Sequence, residues 1–255
     1  MRANKLGLSF GFSTALLLAA PLAAAQDTPA PLLHALFQDH AVLQRDRPIP
    51  VWGQAAPGQP VQVEFAGRKL RARADRAGHW QARLPALPAG GPYALNVTAG
   101  NARQRIDDVL IGDVWLCSGQ SNMELPVNRT LNARAEIAGA GNDRIRLLSV
   151  PQAAQPAPQA DFAAPVQWRP ASAQSVGDFS AACYYFAREL QRDVDVPMGL
   201  IAAALGGSRI EAWLSAGALR GAGDFGDALD ILALYARDPQ AANARWGEHW
   251  AAWWR

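Results

Sequence analysis

The sequence predicts a two-part architecture: an antiparallel β-domain of sandwich type over residues 26–108, then an α/β domain over 109–255 whose parallel sheet is flanked by helices. Three observations predict it. Runs such as VQVEF at Val61–Phe65 alternate apolar and polar residues with period two and are cut at regular intervals by Gly and Pro, the pattern of strands with one wet face. VLIGDVWLC and MGLIAAAL are instead nearly continuous apolar runs, as expected of strands buried on both faces. Between them FSAACYYFARELQR has helical spacing, and such alternation of strand and helix argues a parallel sheet with helices on both faces.

The chain opens with Arg2 and Lys5, an apolar run from Leu6 to Leu22, and Ala23-Ala24-Ala25 before Gln26. This is the form of a secretory signal peptide over residues 1–25, cleaved after Ala25. The apolar run is short for a membrane span and is interrupted by Ser9, Ser13, Thr14 and Pro21. An exported chain, periplasmic or extracellular, is therefore expected. Removing Arg2 and Lys5 leaves 24 − 2 = 22 basic residues against 22 acidic ones, so the mature chain is formally neutral. With no basic run or basic amphipathic helix, neither nucleic acid nor a membrane surface is expected as partner.

In chain order, VQVEF, KLRARAD, HWQARL and YALNV form the alternating strands, with Gly67, Gly78 and the cluster Pro85–Pro92 as breaks. The continuous run to Cys117 follows, then a short helix from about Leu131 to Ala138 closed by Gly139 and Gly141, and a strand over Ile145–Val150. The Pro-, Ala- and Gln-rich stretch Pro151–Pro165 reads as an irregular surface connection. In the helix that follows, Ala182, Tyr185, Phe186 and Leu190 form the expected apolar stripe, and MGLIAAAL runs from it into GGSRIEAWL. Trp246, Trp250, Trp253 and Trp254 fall on one helical face. Those rings, and a sheet of only about three candidate strands, lead to the expectation that the α/β domain is incomplete and the polypeptide continues past Arg255.

Cys117 and Cys183 lie far apart in apolar surroundings, so two small buried thiols are expected rather than a bridge. The four histidines are scattered without metal-ligand spacing, and no metal or other cofactor is expected.

The chemistry concentrates at two corners. DVWLCSGQSNMEL, Asp113–Leu125, carries an apolar strand into a polar turn, where a Ser121 hydroxyl at the rim of an α/β sheet can meet a substrate. Its backbone N–H, at the positive end of the following helix, could help hold an oxyanion. Ser121 with Glu124 also spells S-x-x-E, a capping box, and on local spacing the cap is favoured. Ser208 with Glu211 repeats that pattern after Gly206-Gly207. These glycines either make a tight turn or let a backbone N–H approach a substrate.

LCSGQSNMELP at Leu116–Pro126 and GLIAAALGGSRIEAW at Gly199–Trp213 resemble the sialate O-acetylesterase family, a branch of the SGNH (GDSL-like) hydrolases. AVLQRDRPIPVWGQAAPG at Ala41–Gly58 is similar to the N-terminal β-region of that family. The resemblance implies a metal-independent carbohydrate O-acetylesterase with Ser121 as nucleophile and Ser121 and Gly207, or failing it Gly206, supplying oxyanion N–H groups. Acetylated sialic acid and acetylated plant polysaccharides are the implied substrates. Asn122 either bonds its own turn or meets the substrate, and Arg129 and Arg209 are the arginines that a sialate carboxylate would favour. The family's D-x-x-H block is missing, because none of His34, His40, His79 and His249 has an Asp three residues earlier. The base and its carboxylate are thus expected downstream of Arg255. The reading from another class is a non-catalytic protein in which Trp213 and the C-terminal tryptophans form a sugar platform.

Overall fold

The computed structural model describes residues 31–255, so the signal-peptide reading at 1–25 lies outside the described residues. Seven strands come first: β1 (Val42–Gln44), β2 (Ile49–Gln54), β3 (Pro60–Phe65), β4 (Arg68–Arg73), β5 (His79–Leu84), β6 (Gly90–Ala99) and β7 (Ala102–Gly119). They are followed by α1 (Ser121–Glu124), α2 (Ala133–Ala138), β8 (Asn142–Ser149), β9 (Arg169–Ala171), α3 (Ala181–Asp193) and β10 (Met198–Ala204). Helices α4 (Ala216–Ala222), α5 (Gly226–Tyr235) and α6 (Pro239–Trp253) end the chain.

The main sheet has eight strands, ordered β4-β3-β6-β7-β10-β8-β9 with β1 also on β7, and β2 pairs with β5 separately. In the first half the alternation does what period two requires. On β5 the burial pattern is strictly alternating, with Trp80, Ala82 and Leu84 inward. These residues share one core with Val61, Val63 and Phe65 of β3 and Leu95 and Val97 of β6. Strand β6 begins at Gly90, inside the stretch read from sequence as a turn, and reaches β7 through register shifts at Gly90/Tyr93 and Tyr93/Leu95. Such irregular pairing accommodates residues that a regular ladder excludes.

Strand β7 runs without interruption through Asp108, where the sequence changes grammar. Its first part pairs antiparallel with β6 and its last part, Asp113–Gly119, pairs parallel with Met198–Ala204 of β10. The sheet is therefore mixed rather than purely parallel. Gly112 marks the changeover: a Cβ there would stand 2.0 Å from the Pro197 carbonyl oxygen, so only glycine lets β10 begin against β7. Arg45, just after β1, ties the same point with Nε and Nη2 on the Asp113 carboxylate at 2.9 and 3.2 Å.

Helix α3 starts on Ser180, whose hydroxyl accepts from the Cys183 N–H at 3.3 Å. The side that meets the sheet is Ala181, Cys183, Tyr184 and Ala187. The expected stripe is corrected by this, since Ala182 is exposed and Phe186 is 44% exposed. A disulfide provides the reason. Cys117 of β7 and Cys183 of α3 are bonded, with Cα atoms 5.9 Å apart, which overturns the expectation of two free thiols and turns Cys183 to the sheet. Both cysteines were read correctly as buried, but a sequence separation of 66 hides their meeting.

The expectation that β7 is buried on both faces is also corrected. Cys117 faces the α3 side, whereas Leu116 points the other way and is 69% exposed. On that second face Trp168 and Val166 cover Leu148 of β8 and Ala41, and their cover does not extend to Leu116. Helices α4–α6 contact one another rather than closing that face. Trp246, Trp250, Trp253 and Trp254 do share α6 or its end, but among the described residues they pack edge to face on one another and stay exposed.

A half-buried ion pair joins segments far apart in sequence. Arg146 of β8 is 3% exposed and its Nη1 lies 2.7 Å from Asp108 of β7, which also bonds His40 Nδ1 at 2.6 Å. Burial pushes the Asp108 carboxyl up, but hydrogen bonds from Arg146 and His40 outweigh it and hold the group below the usual carboxylate range.

Two outcomes are expected. Replacing both cysteines, as Cys117→Ala/Cys183→Ala, should lower unfolding free energy by about 2–4 kcal/mol, the usual range for a native bridge, measured as a shift in urea midpoint that reductant reproduces in the wild type. Since Asp108 is held below its unfolded-state value, its contribution is fully present above that value and is lost as pH falls through the lower, folded one. Asp108→Asn should therefore be destabilised against wild type at neutral pH, with the difference closing below about pH 4 in urea titrations.

Candidate active site

Two turns meet at the carboxyl ends of β7 and β10. The chain leaves β7 for β8, passes β9 and α3, and inserts β10 between them, so the corners 119–124 and 205–208 become neighbours. The parallel ladder ends with Ala204 opposite Gly119, and the Leu205 N–H donates to the Gly119 carbonyl at 2.9 Å. A methyl group added to Gly206 would stand 3.8 Å from Ser121 Cα. Ser121, Gly206 and Gly207, predicted from separate stretches, are thus brought together.

The S-x-x-E readings are both corrected. Ser121 is the first helical residue and Gln120 holds the cap position, with no side-chain cap bond. Glu124 turns away from that helix start and accepts the Gly206 N–H through Oε2 at 2.5 Å. The Ser121 hydroxyl is left without a hydrogen-bond partner among the described residues, and its N–H is one of the orphan donors of a helix's first turn. Helix α1 is only four residues long, so few peptide dipoles are aligned, and the donor available at Ser121 is the N–H itself rather than a macrodipole. At the other corner Ser208 caps nothing: its hydroxyl donates to the Leu205 carbonyl at 2.6 Å and accepts Trp213 Nε1–H at 2.9 Å.

The glycines divide their labour. Gly206 and Gly207 are the central residues of a turn closed by Ser208 N–H on Leu205 C=O at 3.2 Å. Gly207 has φ +77°, the value that a type II turn demands at its third position and that glycine adopts without strain. With the Gly206 N–H engaged by Glu124, the Gly207 N–H is the turn's donor without a partner among the described residues.

Ser121 opens on a cleft of about 530 Å³ whose wall includes Glu124, Arg129, Gln152, Asp178 and Ser180. The loop after α1 is stitched to the start of α3, with Val127 N–H on Phe179 C=O at 3.0 Å and Asn128 Nδ2 on Asp178 at 2.8 Å. This pairing puts Asp178 and Ser180 at the cleft, which no local motif announces. Of the residues named from sequence, Arg129 lines the cleft and has no carboxylate partner among the described residues, whereas Arg209 and Asn122 lie outside its lining; all three are exposed.

No described histidine reaches Ser121. His40 with Asp108 has the hydrogen bond of a base and its orienting carboxylate, at 2.6 Å, but Asp108 lies within the first half of β7, well before its carboxyl end. The 11 residues from Asp108 to Gly119 span roughly 36 Å of extended strand. A larger cavity of about 650 Å³ beside that pair is equally remote from Ser121.

Residues 111–230 match the model of a carbohydrate esterase family described as sialic acid-specific acetylesterase. The chain is 34% identical over 190 residues to the sialate O-acetylesterase of Homo sapiens, covering 68% of this chain and 36% of that one. The Mus musculus sialate O-acetylesterase is 32% identical over 206 residues, covering 73% of this chain and 38% of its own. The chain thus spans little more than a third of the length of these curated relatives. Its fold is similar to the crystal structure of a novel carbohydrate acetylesterase from Xanthomonas citri, with TM-score 0.73 and 41% identity over 74% of this chain and 43% of the other.

Proposed function

The chain belongs to the sialate O-acetylesterase family of carbohydrate esterases, and from that premise we propose that it carries the nucleophile half of a serine carbohydrate O-acetylesterase. The observation that supports this best is the uncommitted Ser121 hydroxyl, on the wall of a cleft and beside a glycine turn with a free N–H. Acyl transfer needs a nucleophile, a base for its proton and donors aimed at the oxyanion. Ser121 Oγ attacks the acetyl carbonyl. The N–H groups of Ser121 and Gly207 hold the negative oxygen of the tetrahedral intermediate, which collapses to acetyl-Ser121 and the free sugar hydroxyl. Water then releases acetate. In this reading the base is a histidine with an orienting carboxylate, as the family's D-x-x-H block implies.

An acetylated sugar is the proposed substrate, with sialate placed before plant polysaccharides such as xylan or xyloglucan. Arg129, in the cleft and unpaired among the described residues, suits a sugar carboxylate. The tryptophan-platform reading has less support. Trp250 with Trp253 and Trp253 with Trp254 meet at 79° and 86°, so these rings present no common flat face. Export is proposed for the chain. A disulfide suits an oxidising compartment, and no described helix is long and apolar enough to cross a membrane.

In the full-length protein, Ser121→Ala should lower acetate release from an acetylated sugar by at least about a thousandfold; activity retained at the wild-type level excludes Ser121 as nucleophile. Arg129→Ala should raise KM for O-acetylated sialic acid on the order of tenfold and leave KM for a neutral acetylated xylo-oligosaccharide unchanged, as measured by acetate release from each.

A further inference from the structure

The contact between Glu124 and Gly206 is not explained by a helix cap, nor by an ion pair, since no cation lies within salt-bridge distance of Glu124 among the described residues. It joins the two corners beyond the last ladder bond. Past Leu205 N–H on Gly119 C=O, β7 has turned away into α1, and the Glu124 carboxylate is what meets the glycine turn. The approach is close enough to require glycine: a Cβ at position 206 would stand 2.6 Å from Glu124 Oε2. The turn is also tied by its closing bonds from the Ser208 N–H and hydroxyl to Leu205 C=O and by Trp213 Nε1–H on the Ser208 hydroxyl, but among these bonds only the one to Glu124 reaches α1.

A turn of this kind has two arrangements. Types I and II keep the same closing hydrogen bond and differ in the orientation of the central peptide, the one carrying the N–H of the third residue. Here that donor is Gly207 N–H. Two glycines in the central positions leave little intrinsic preference between the arrangements. The Glu124 bond is made by the Leu205–Gly206 peptide, which both arrangements share, so this charge-assisted contact fixes where the turn sits against α1.

We propose that Glu124 is a positioning residue: through Gly206 it fixes the glycine turn against the nucleophile helix and so aims the Gly207 N–H at the oxyanion of the Ser121 ester reaction. This rests on the esterase reading above. Glu124 touches neither substrate nor the reacting atoms in this role, and its carboxylate oxygen acts as an acceptor rather than as a base. A donor that is present but misdirected supports the transition state poorly while leaving ground-state binding intact.

The test is steady-state acetate release by the full-length protein for wild type, Glu124→Ala, Glu124→Gln, Gly206→Ala and the double variant Glu124→Ala/Gly206→Ala, with thermal midpoints alongside. Glu124→Ala should lower kcat by about 10- to 100-fold with KM within a factor of about two and an unchanged midpoint, because the side chain is exposed. Glu124→Gln keeps an acceptor and should recover most of that loss. Gly206→Ala pushes the carboxylate away, so its effect on kcat should be far from additive with that of Glu124→Ala. Wild-type turnover that survives Glu124→Ala within twofold, a Gln variant as impaired as Ala, additive losses, or loss of cooperative folding in Glu124→Ala would each overturn this role alone. Absence of acetate release from the wild type would overturn the esterase reading together with it.

Discussion

The parallel ladder between Asp113–Gly119 and Met198–Ala204 is the constraint on which the rest of the α/β half depends. It places two sequence-distant turns side by side, and it does so on a strand whose other end is committed to β6. Because β7 is one continuous element of 18 residues, its carboxyl end is held by a core it does not itself belong to. A rigid strand with a turn at its tip can present a hydroxyl while the backbone behind it stays fixed. The Cys117–Cys183 bridge reinforces this, binding α3 to β7 four residues before Ser121.

Polar groups at the tip are then shared between structure and chemistry. Glu124 is consumed by Gly206, Ser208 by Leu205 and Trp213, and Asp178 by Asn128. The Ser121 hydroxyl and N–H, the Gly207 N–H and Arg129 are among the groups left unclaimed among the described residues. Farther back along β7 the same residue types are engaged differently. Asp108, His40 and Arg146 hold one another, and Arg146 is buried, so a hydrogen bond resembling a base and its orienting group serves the joining of β7, β8 and the segment before β1.

Where the sequence misleads, the reason is that a local pattern has a non-local competitor. S-x-x-E describes a cap only if the glutamate has no better donor, and folding delivers the Gly206 N–H from 82 residues away. Helical spacing in FSAACYYFARELQR admits more than one apolar face, and the bridge to Cys117 selects the one containing Cys183. An apolar run such as VLIGDVWLC carries no information on whether both faces are covered, so the exposed side of Leu116 is invisible in it.

By itself the sequence determined what short-range periodicity and steric rules control: the alternation of β5, a helix within FSAACYYFARELQR, the strand over Met198–Ala204, and corners rich in Ser, Asn and Gly. It also carried, in GQSNM and its partner block, the family to which the chain belongs. Only the tertiary structure decided that β10 enters between β7 and β8, that Cys117 meets Cys183, and that Glu124 takes the Gly206 donor and leaves Gly207 free. Those outcomes depend on which distant groups a folded sheet brings within about 3 Å, a distance that spacing along the chain does not encode.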